Sequence, residues 1–445
     1  MRARLYRELV ALRWRIKNPY FLQVRRLLGE SQWWPPERIK AFQDESLRAL
    51  IKYAYEHVPY YRTIMRARGL TPKDIKATDD LVKFPILDKE TFREHWKELI
   101  SDEADPDRVP VRRTGGTTGE PLRIARDPRN SAFENAAFLR GLSFGGYRQG
   151  EKLVKLFGGT LGLAPENLSE KLKARFAGEV FLPAFELSIK NVKKYVEIIQ
   201  QSKARFLRGY ASAVYLLAKL MTECGLRLRL QAVFPTAETL YDHQRELITE
   251  RLGEVFEYYG CGELNSIAFE CEEHQGMHIS EEHVYLEVLR EGKRVAEGEM
   301  GAVTLTTLQN YTMPLIRYQN GDVAVLTSQP CSCGRNLRRI AKLLGRINDL
   351  LQAKDGRLIS GVFIPHLFRV TKGIQQVQVI QETTDLLVVR IVKGPQFTER
   401  ESELVLETIR RYLGEINIEV EYVDRIPATA MGKLRFVVSK VVDRL

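Results

Sequence analysis

Short apolar runs alternate with amphipathic stretches along most of this chain. The runs 154–157, 232–235 and 255–259 have the length and the β-branched or aromatic content of buried strands. Between and beside them, 189–201, 211–224 and the segment around 242–252 carry apolar residues at helical spacing. Strands alternating with helices predict an α/β sheet with parallel portions. The pattern changes over 283–326, where 284–289, 302–308 and 323–327 predict strands with no helix between them, hence an antiparallel subdomain. Upstream, residues 36–65 read as helices leading to an aromatic turn at 57–62. Beyond a boundary at 345–349, strands at 377–382, 386–392 and 418–422 with a charged helix at 398–413 predict a compact α+β unit. At about 95 residues that unit is large enough to be a domain.

Composition narrows the class. The 445 residues are 44% hydrophobic and 28% charged, which suits a globular protein of two or three domains. No run of apolar residues reaches the length of a membrane span, and the N-terminal stretch lacks the apolar core of a secretion signal. Five cysteines leave one over in any disulfide scheme and favour a reducing, cytoplasmic setting. The net charge of +11 is concentrated at the start, where residues 1–28 hold eight Arg/Lys against Glu8. Leu5, Leu9, Leu12 and Ile16 fall at helical spacing there. Two readings stay open: a basic amphipathic helix on an anionic membrane surface, or a helix docked on the protein's own body with its arginines outward. Nothing resembling a nucleic-acid-binding signature accompanies the charge.

Five local patterns carry chemistry. Arg-Arg-Thr-Gly-Gly-Thr-Thr-Gly-Glu-Pro-Leu occupies 112–122. Its glycines remove Cβ atoms and its hydroxyls add donors, as an anion cradle requires; a solvated hairpin turn has the same composition. It lacks the Gly-Lys-Ser/Thr ending of the Walker loop, and the apolar run at 122–125 places it at a strand end. Next comes Tyr259-Gly260-Cys261-Gly262-Glu263, an aromatic residue, a glycine permitting close approach and a carboxylate able to hold a divalent cation. Tyr318-Gln-Asn-Gly-Asp322 offers a carboxylate at a turn, suited to ribose hydroxyls or to an Asx-turn. Gly345-Arg346 at the boundary supplies a cation beside a hinge, and Gly432-Lys433 supplies an ammonium on a pliant backbone.

In this order the five patterns resemble the motif series of the adenylate-forming enzymes, which include acyl-CoA synthetases, luciferases and non-ribosomal adenylation domains. Pro314-Leu-Ile-Arg-Tyr318, Cys331-Ser-Cys-Gly334 and Leu207-Arg-Gly-Tyr-Ala-Ser212 look most like the phenylacetate–CoA ligase branch, and the helical lead-in is similar to its capsular-polysaccharide relatives. The resemblance covers roughly 40–445. It implies an α/β fold: a large multi-sheet N-terminal domain over 36–347, a small mobile α+β lid over 348–445, and 1–35 as a basic helical extension.

It also implies roles. Thr114, Gly115, Gly116, Thr117, Thr118 and Gly119 would grip the ATP β- and γ-phosphates. Glu238 would lie against the adenine, Tyr259 would stack on it, and Gly260 would let the nucleotide approach. Glu263 would bind Mg²⁺ with Thr118, Asp322 the ribose, and Arg346 ribose or phosphate. Lys433 would bridge the acid and the α-phosphate. Three positions depart from the usual pattern: Glu120 replaces a common lysine, Gly262 replaces a threonine, and Lys433 and Arg435 are closely spaced. The implied reaction is adenylation of a carboxylic acid with release of pyrophosphate, then transfer to coenzyme A. AMP transfer to a hydroxyl, acyl transfer to an amine or carrier, and a non-catalytic membrane-peripheral protein are the rivals. The acid pocket is expected among 132–140, 156–159, 207–213 and 235–238, where Phe133, Phe138, Phe157 and Tyr210 suit an aromatic or apolar acid.

A second site is implied by Cys271, His278, Cys331 and Cys333. Three thiols and one imidazole make a closed zinc set, although Cys-x-Cys is tighter than usual. A similar Gly-x-His motif in relatives favours His278 over His274. Unliganded thiols near a turn are the alternative, and Cys224 and Cys261 are read as packing residues.

Overall fold

The computed structural model describes residues 5, 8, 9, 20–113, 122–157, 172, 174, 176–360, 364, 371, 373–427 and 435–442. The chain enters through α1 (Tyr20–Ser31), α2 (Pro36–His57) and α3 (Pro59–Ala67). The aromatic segment 57–62 is therefore not a turn. Val58 alone interrupts the helix, and Pro59 at the first position of α3 starts the next one, because proline ends a preceding helix yet is preorganised for a first turn. α1 buries Phe21, Val24 and Leu28 against Ala132, Phe133 and Ala136 of α4 (Pro128–Phe144). Ser31 and Arg140 both bond the fully buried Glu282. This part of the basic segment is docked on the body.

The first sheet is wholly parallel. β1 (Leu153–Phe157), β2 (Glu179–Pro183), β3 (Phe206–Tyr210), β4 (Ala232–Thr236) and β5 (Glu254–Val255) run in the order β2-β1-β3-β4-β5. A sheet covered on both faces takes apolar residues without alternation, and all five positions of β4 are buried. α5 (Val192–Ser202), α6 (Ala211–Glu223) and α7 (Asp242–Arg251) make the crossovers and pack Val196, Leu217 and Ile248 against Val154, Leu207 and Val233. α4 supplies Leu142 to the cluster around Phe206 and Phe234. Its start is fixed by Asp127, whose carboxylate accepts from Asn130 N at 2.8 Å, with Pro128 at the first helical position.

The run 255–259 is not one strand. Val255 ends β5, while β6 (Tyr258–Tyr259) belongs to a second sheet. An apolar run records burial, not which sheet does the burying, so the crossover at 256–257 was invisible in the pattern. This second sheet is antiparallel and continues through β7 (Ala268–Glu270), β8 (Met277–Ile279), β9 (Val284–Arg290), β10 (Lys293–Arg294), β11 (Met300–Thr307), β12 (Tyr318–Thr327) and β13 (Arg339–Arg346). Their order is β10-β9-β11-β12-β13-β8-β7-β6. A separate hairpin pairs Val111 with Ala125, so the Thr/Gly loop joins two paired strands; residues 114–121 themselves lie outside the described residues.

The C-terminal unit has its own core. β14 (Ile374–Thr383), β15 (Leu386–Lys393), β16 (Asn417–Tyr422) and β17 (Val437–Ser439) form a sheet in the order β16-β15-β14-β17. α8 (Glu399–Leu413) buries Val405, Ile409 and Leu413 against Val377, Val379, Leu387 and Val389, one stripe at i, i+4 and i+8. The unit touches the large body through the Tyr241–Phe436 ring pair at 5.7 Å, while Arg435 pairs at 3.2 Å with Asp349 at the boundary between the two. No helix among the described residues is long and apolar enough to cross a membrane.

Candidate active site

One end of the antiparallel sheet gathers most of the described candidates. β12 and β13 pair with Asp322 opposite Arg346, and Arg346 Nε lies 3.4 Å from Asp322 Oδ1. The other carboxylate oxygen accepts from the Tyr259 hydroxyl at 2.6 Å and from Asn320 Nδ2 at 2.7 Å. Asn320 also donates to the Tyr259 oxygen, and its own carbonyl accepts from Asp322 N. The Asx turn foreseen at this Gly-Asp sequence is thus built by Asn320, two residues before the aspartate. The Arg346 charge is reinforced by Asp322, which holds the guanidinium above its ordinary range.

Tyr259 is 5% exposed and packs with Leu264, Ile267 and Ala268. Its hydroxyl is directed at Asp322. Glu263 follows in the next turn, where Oε1 accepts from the Tyr318 hydroxyl at 2.8 Å. Its backbone carbonyl accepts from Arg112 Nη2 at 2.9 Å. Arg112 is the middle residue of the short hairpin strand Val111–Arg113 that precedes the Thr/Gly loop, so this bond ties that strand to Glu263. Arg112 also meets Glu134, which accepts from Asn265 N. Glu238 sits apart from these groups, its carboxylate taking Ser212 N at 2.8 Å in the first turn of α6. Ala237 before it has φ of 66°, an uncommon backbone for alanine that re-aims the chain at the carboxyl end of β4.

Lys89 is the residue that sequence reasoning missed. Leu87 bridges to Tyr318 and brings Lys89, at the start of a short helix capped by Asp88, over Gly321. Gly321 has φ of 83°, and a Cβ there would lie 3.7 Å from Lys89 Nζ. Burial and then Arg346 push the ammonium below its ordinary pKa, while Glu263 and Asp322 oppose this. Asp-Lys-Glu at 88–90 reads only as a helix start; the bridge to β12 is a tertiary fact. Thr114, Gly115, Gly116, Thr117, Thr118, Gly119 and Lys433 all lie outside the described residues.

The second cluster is of another kind. Cys271, His278, Cys331 and Cys333 bring their ligand atoms within 4.8 Å of one another. Cys271 and Cys331 sulfurs are 3.8 Å apart, and Cys333 Sγ is 3.3 Å from His278 Nε2. A tetrahedral zinc with ~2.3 Å sulfur bonds has edges of about that length. His278 Nδ1 lies 3.2 Å from the Leu337 carbonyl, which takes the ring proton and turns the Nε2 lone pair toward the thiols. Burial pushes the imidazole down to about 4, so it is neutral, as a ligand must be. Desolvation pushes the Cys271 thiol up, so its proton leaves only against a cation. The donor set fits a closed zinc site. His274 is elsewhere, 3.1 Å from Glu254 and 3.4 Å from Glu270.

Comparison with known proteins agrees with this layout. Residues 351–440 match the CapK C-terminal domain. The phenylacetate–coenzyme A ligase of Thermus thermophilus is 28% identical over 406 residues, 88% of this chain and 86% of that protein. Protein CapK of Staphylococcus aureus is 21% identical over 97% of this chain and 95% of its own length. Among solved structures, a 2-hydroxyisobutyryl-CoA ligase in its postadenylation state superposes with a TM-score of 0.71 at 22% identity, covering 92% of this chain and 93% of that one. An open conformation of the same ligase gives 0.62 at 20% identity, over 92% and 95%. The mixed α/β fold with a separate C-terminal domain is that of these ligases.

Proposed function

The chain falls in the phenylacetate–CoA ligase and CapK branch of the adenylate-forming enzymes, and from that premise we propose that it activates a carboxylic acid with ATP and passes the acyl group to coenzyme A. It is an enzyme of the AMP-forming acid–thiol ligase type. The observation that carries this reading is the tie between the Thr/Gly hairpin and Glu263, made by Arg112, beside Asp322, Arg346 and Lys89.

A carboxylate is a poor acyl donor because substitution would have to expel oxide. Attack of its oxygen on the α-phosphorus of ATP expels pyrophosphate and leaves an acyl-AMP with a good leaving group. Attack of the coenzyme A sulfur on the acyl carbon then expels AMP and gives the thioester. The first step brings two anions together, so the site must offset their repulsion with oriented donors and cations. Thr114 to Gly119 hold the β- and γ-phosphates, Lys433 bridges acid and α-phosphate, and Arg346 and Lys89 add positive charge. Asp322 receives the ribose, and Tyr259 acts through its hydroxyl to orient that carboxylate. Glu263 with Thr118 would hold Mg²⁺, which shields the phosphate charge when bound. The acid lies where the carboxyl ends of β1, β3 and β4 open, beside Phe138, Phe157 and Tyr210.

The four-donor cluster holds structural zinc. It pins Cys271 at the end of β7 to the segment just ahead of β13, behind the strands that carry Tyr259 and Arg346. Incubation with Mg-ATP, coenzyme A and an acid library, read by product mass, tests the proposal. A thioester with free AMP is the expected product. An acceptor that retains AMP assigns the chain to adenylyl transfer instead.

A further inference from the structure

We propose that Arg208 selects acids carrying a second carboxylate, remote from the one that is activated. This rests on the adenylating reading and adds the substrate class to it. Arg208 is at the middle of β3, in register with Lys155 of β1 and Phe234 of β4. Its guanidinium carbon lies 4.7 Å from the ring centre of Phe138, 5.1 Å from Phe157 and 5.3 Å from Tyr258. Phe157 ends β1 and meets Tyr210, the last residue of β3, at 5.0 Å. The guanidinium therefore reaches the carboxyl ends of the parallel strands, where open α/β sheets hold their ligands.

Arg208 has no counter-ion among the described residues, whereas its neighbour across the sheet, Lys155, pairs with Glu179 at 2.6 Å, and Arg140 and Arg245 pair with Glu282 at 2.6 Å and Glu270 at 3.0 Å. Arg208 donates from Nε to the Tyr258 hydroxyl, and among the described residues no carboxylate comes within ion-pair distance of it. Both terminal nitrogens, which form the flat fork that matches a carboxylate, keep their donors for a guest. Three rings around the fork keep water sparse and strengthen the pairing. A wholly apolar acid would have to desolvate this cation with nothing in return. The class that fits has an apolar or aromatic body and a terminal carboxylate.

The test compares pyrophosphate exchange into ATP for straight-chain dicarboxylic acids of graded length and for their monoamides, which differ only in the terminal charge. Wild-type protein is expected to favour a diacid over its monoamide. In Arg208→Leu the ratio of the two efficiencies should fall about 10- to 100-fold, the worth of one charged hydrogen-bonded pair, and Arg208→Lys should recover part of it. Arg208→Met, with melting curves for all variants, separates lost selectivity from lost folding. Equal use of diacid and monoamide by the wild type overturns the proposal. So does an equal loss on both in Arg208→Leu, which would mean that the arginine packs the site or holds the reacting carboxylate. Silence of the folded wild type with every acid, monoacids included, overturns the adenylating reading itself and this inference with it.

Discussion

Two polar clusters share the antiparallel sheet, and they are built on opposite principles. Cys271, His278, Cys331 and Cys333 are all lone-pair donors aimed at one point, with the imidazole held neutral and a carbonyl fixing its tautomer. Such a set is unbalanced without a cation and closed once it has one. Glu263, Asp322, Arg346 and Lys89 mix signs, and the first three are held by neighbours: Tyr318 on Glu263, Tyr259 and Asn320 on Asp322, Asp322 on Arg346. This set is balanced when empty, so a guest can come and go by exchanging partners. Convergent like donors mark a permanent ion, and a charge-matched network marks a transient ligand.

That contrast breaks most sharply at Lys433 of the C-terminal unit. Lys433→Ala should lower acid-dependent pyrophosphate exchange about 10³-fold and leave bound zinc at its wild-type level, measured by elemental analysis on the same sample. Next, Cys331→Ser should abolish stoichiometric zinc and lower unfolding stability by something on the order of 3–5 kcal/mol, read by denaturant melts with and without chelator. If the thiols are only packing, chelator changes nothing in the wild type. Asp322→Ala should raise the KM for ATP roughly 10- to 100-fold, since a charged acceptor is lost, while zinc content stays put. A parallel loss of zinc would merge two clusters that are held here to be independent.

The smallest effect concerns the crossover between the sheets. Burial, then the neighbouring Glu270 carboxylate, push Glu257 up to about 7 from 4.5, against Arg245 at 3.5 Å. The folded state thus binds more protons than the unfolded one between these values. The contribution of Glu257 is full below pH 4.5 and falls as pH rises through 7, a decline on the order of 1–3 kcal/mol. Glu257→Gln should flatten that slope in melts taken from pH 5 to 8, and an unchanged slope would place the titration elsewhere.

Much of this molecule was legible because burial writes itself into periodicity. β1, β4 and the helices α5, α6, α7 and α8 stand within a few residues of their apolar runs, as the stripe Val405, Ile409, Leu413 illustrates. What the pattern lacked was partnership. The run 255–259 divides between two sheets, and Lys89 reaches the site through the bridge of Leu87 to Tyr318, both products of long-range packing. Asp322 was singled out as a carboxylate at a turn, but Asn320 and Tyr259 as its holders follow from side-chain geometry. Arg208, too, was merely one residue of a quoted motif until three rings closed around it.

The central claim is that the balanced cluster serves ATP-dependent activation of an acid. Exchange of labelled pyrophosphate into ATP by the full-length wild-type chain, with Mg²⁺ and without coenzyme A, tests it most directly. Exchange that appears only when an acid is added is the predicted result. Folded, zinc-loaded protein that binds no ATP and exchanges no label across a broad acid library would contradict it.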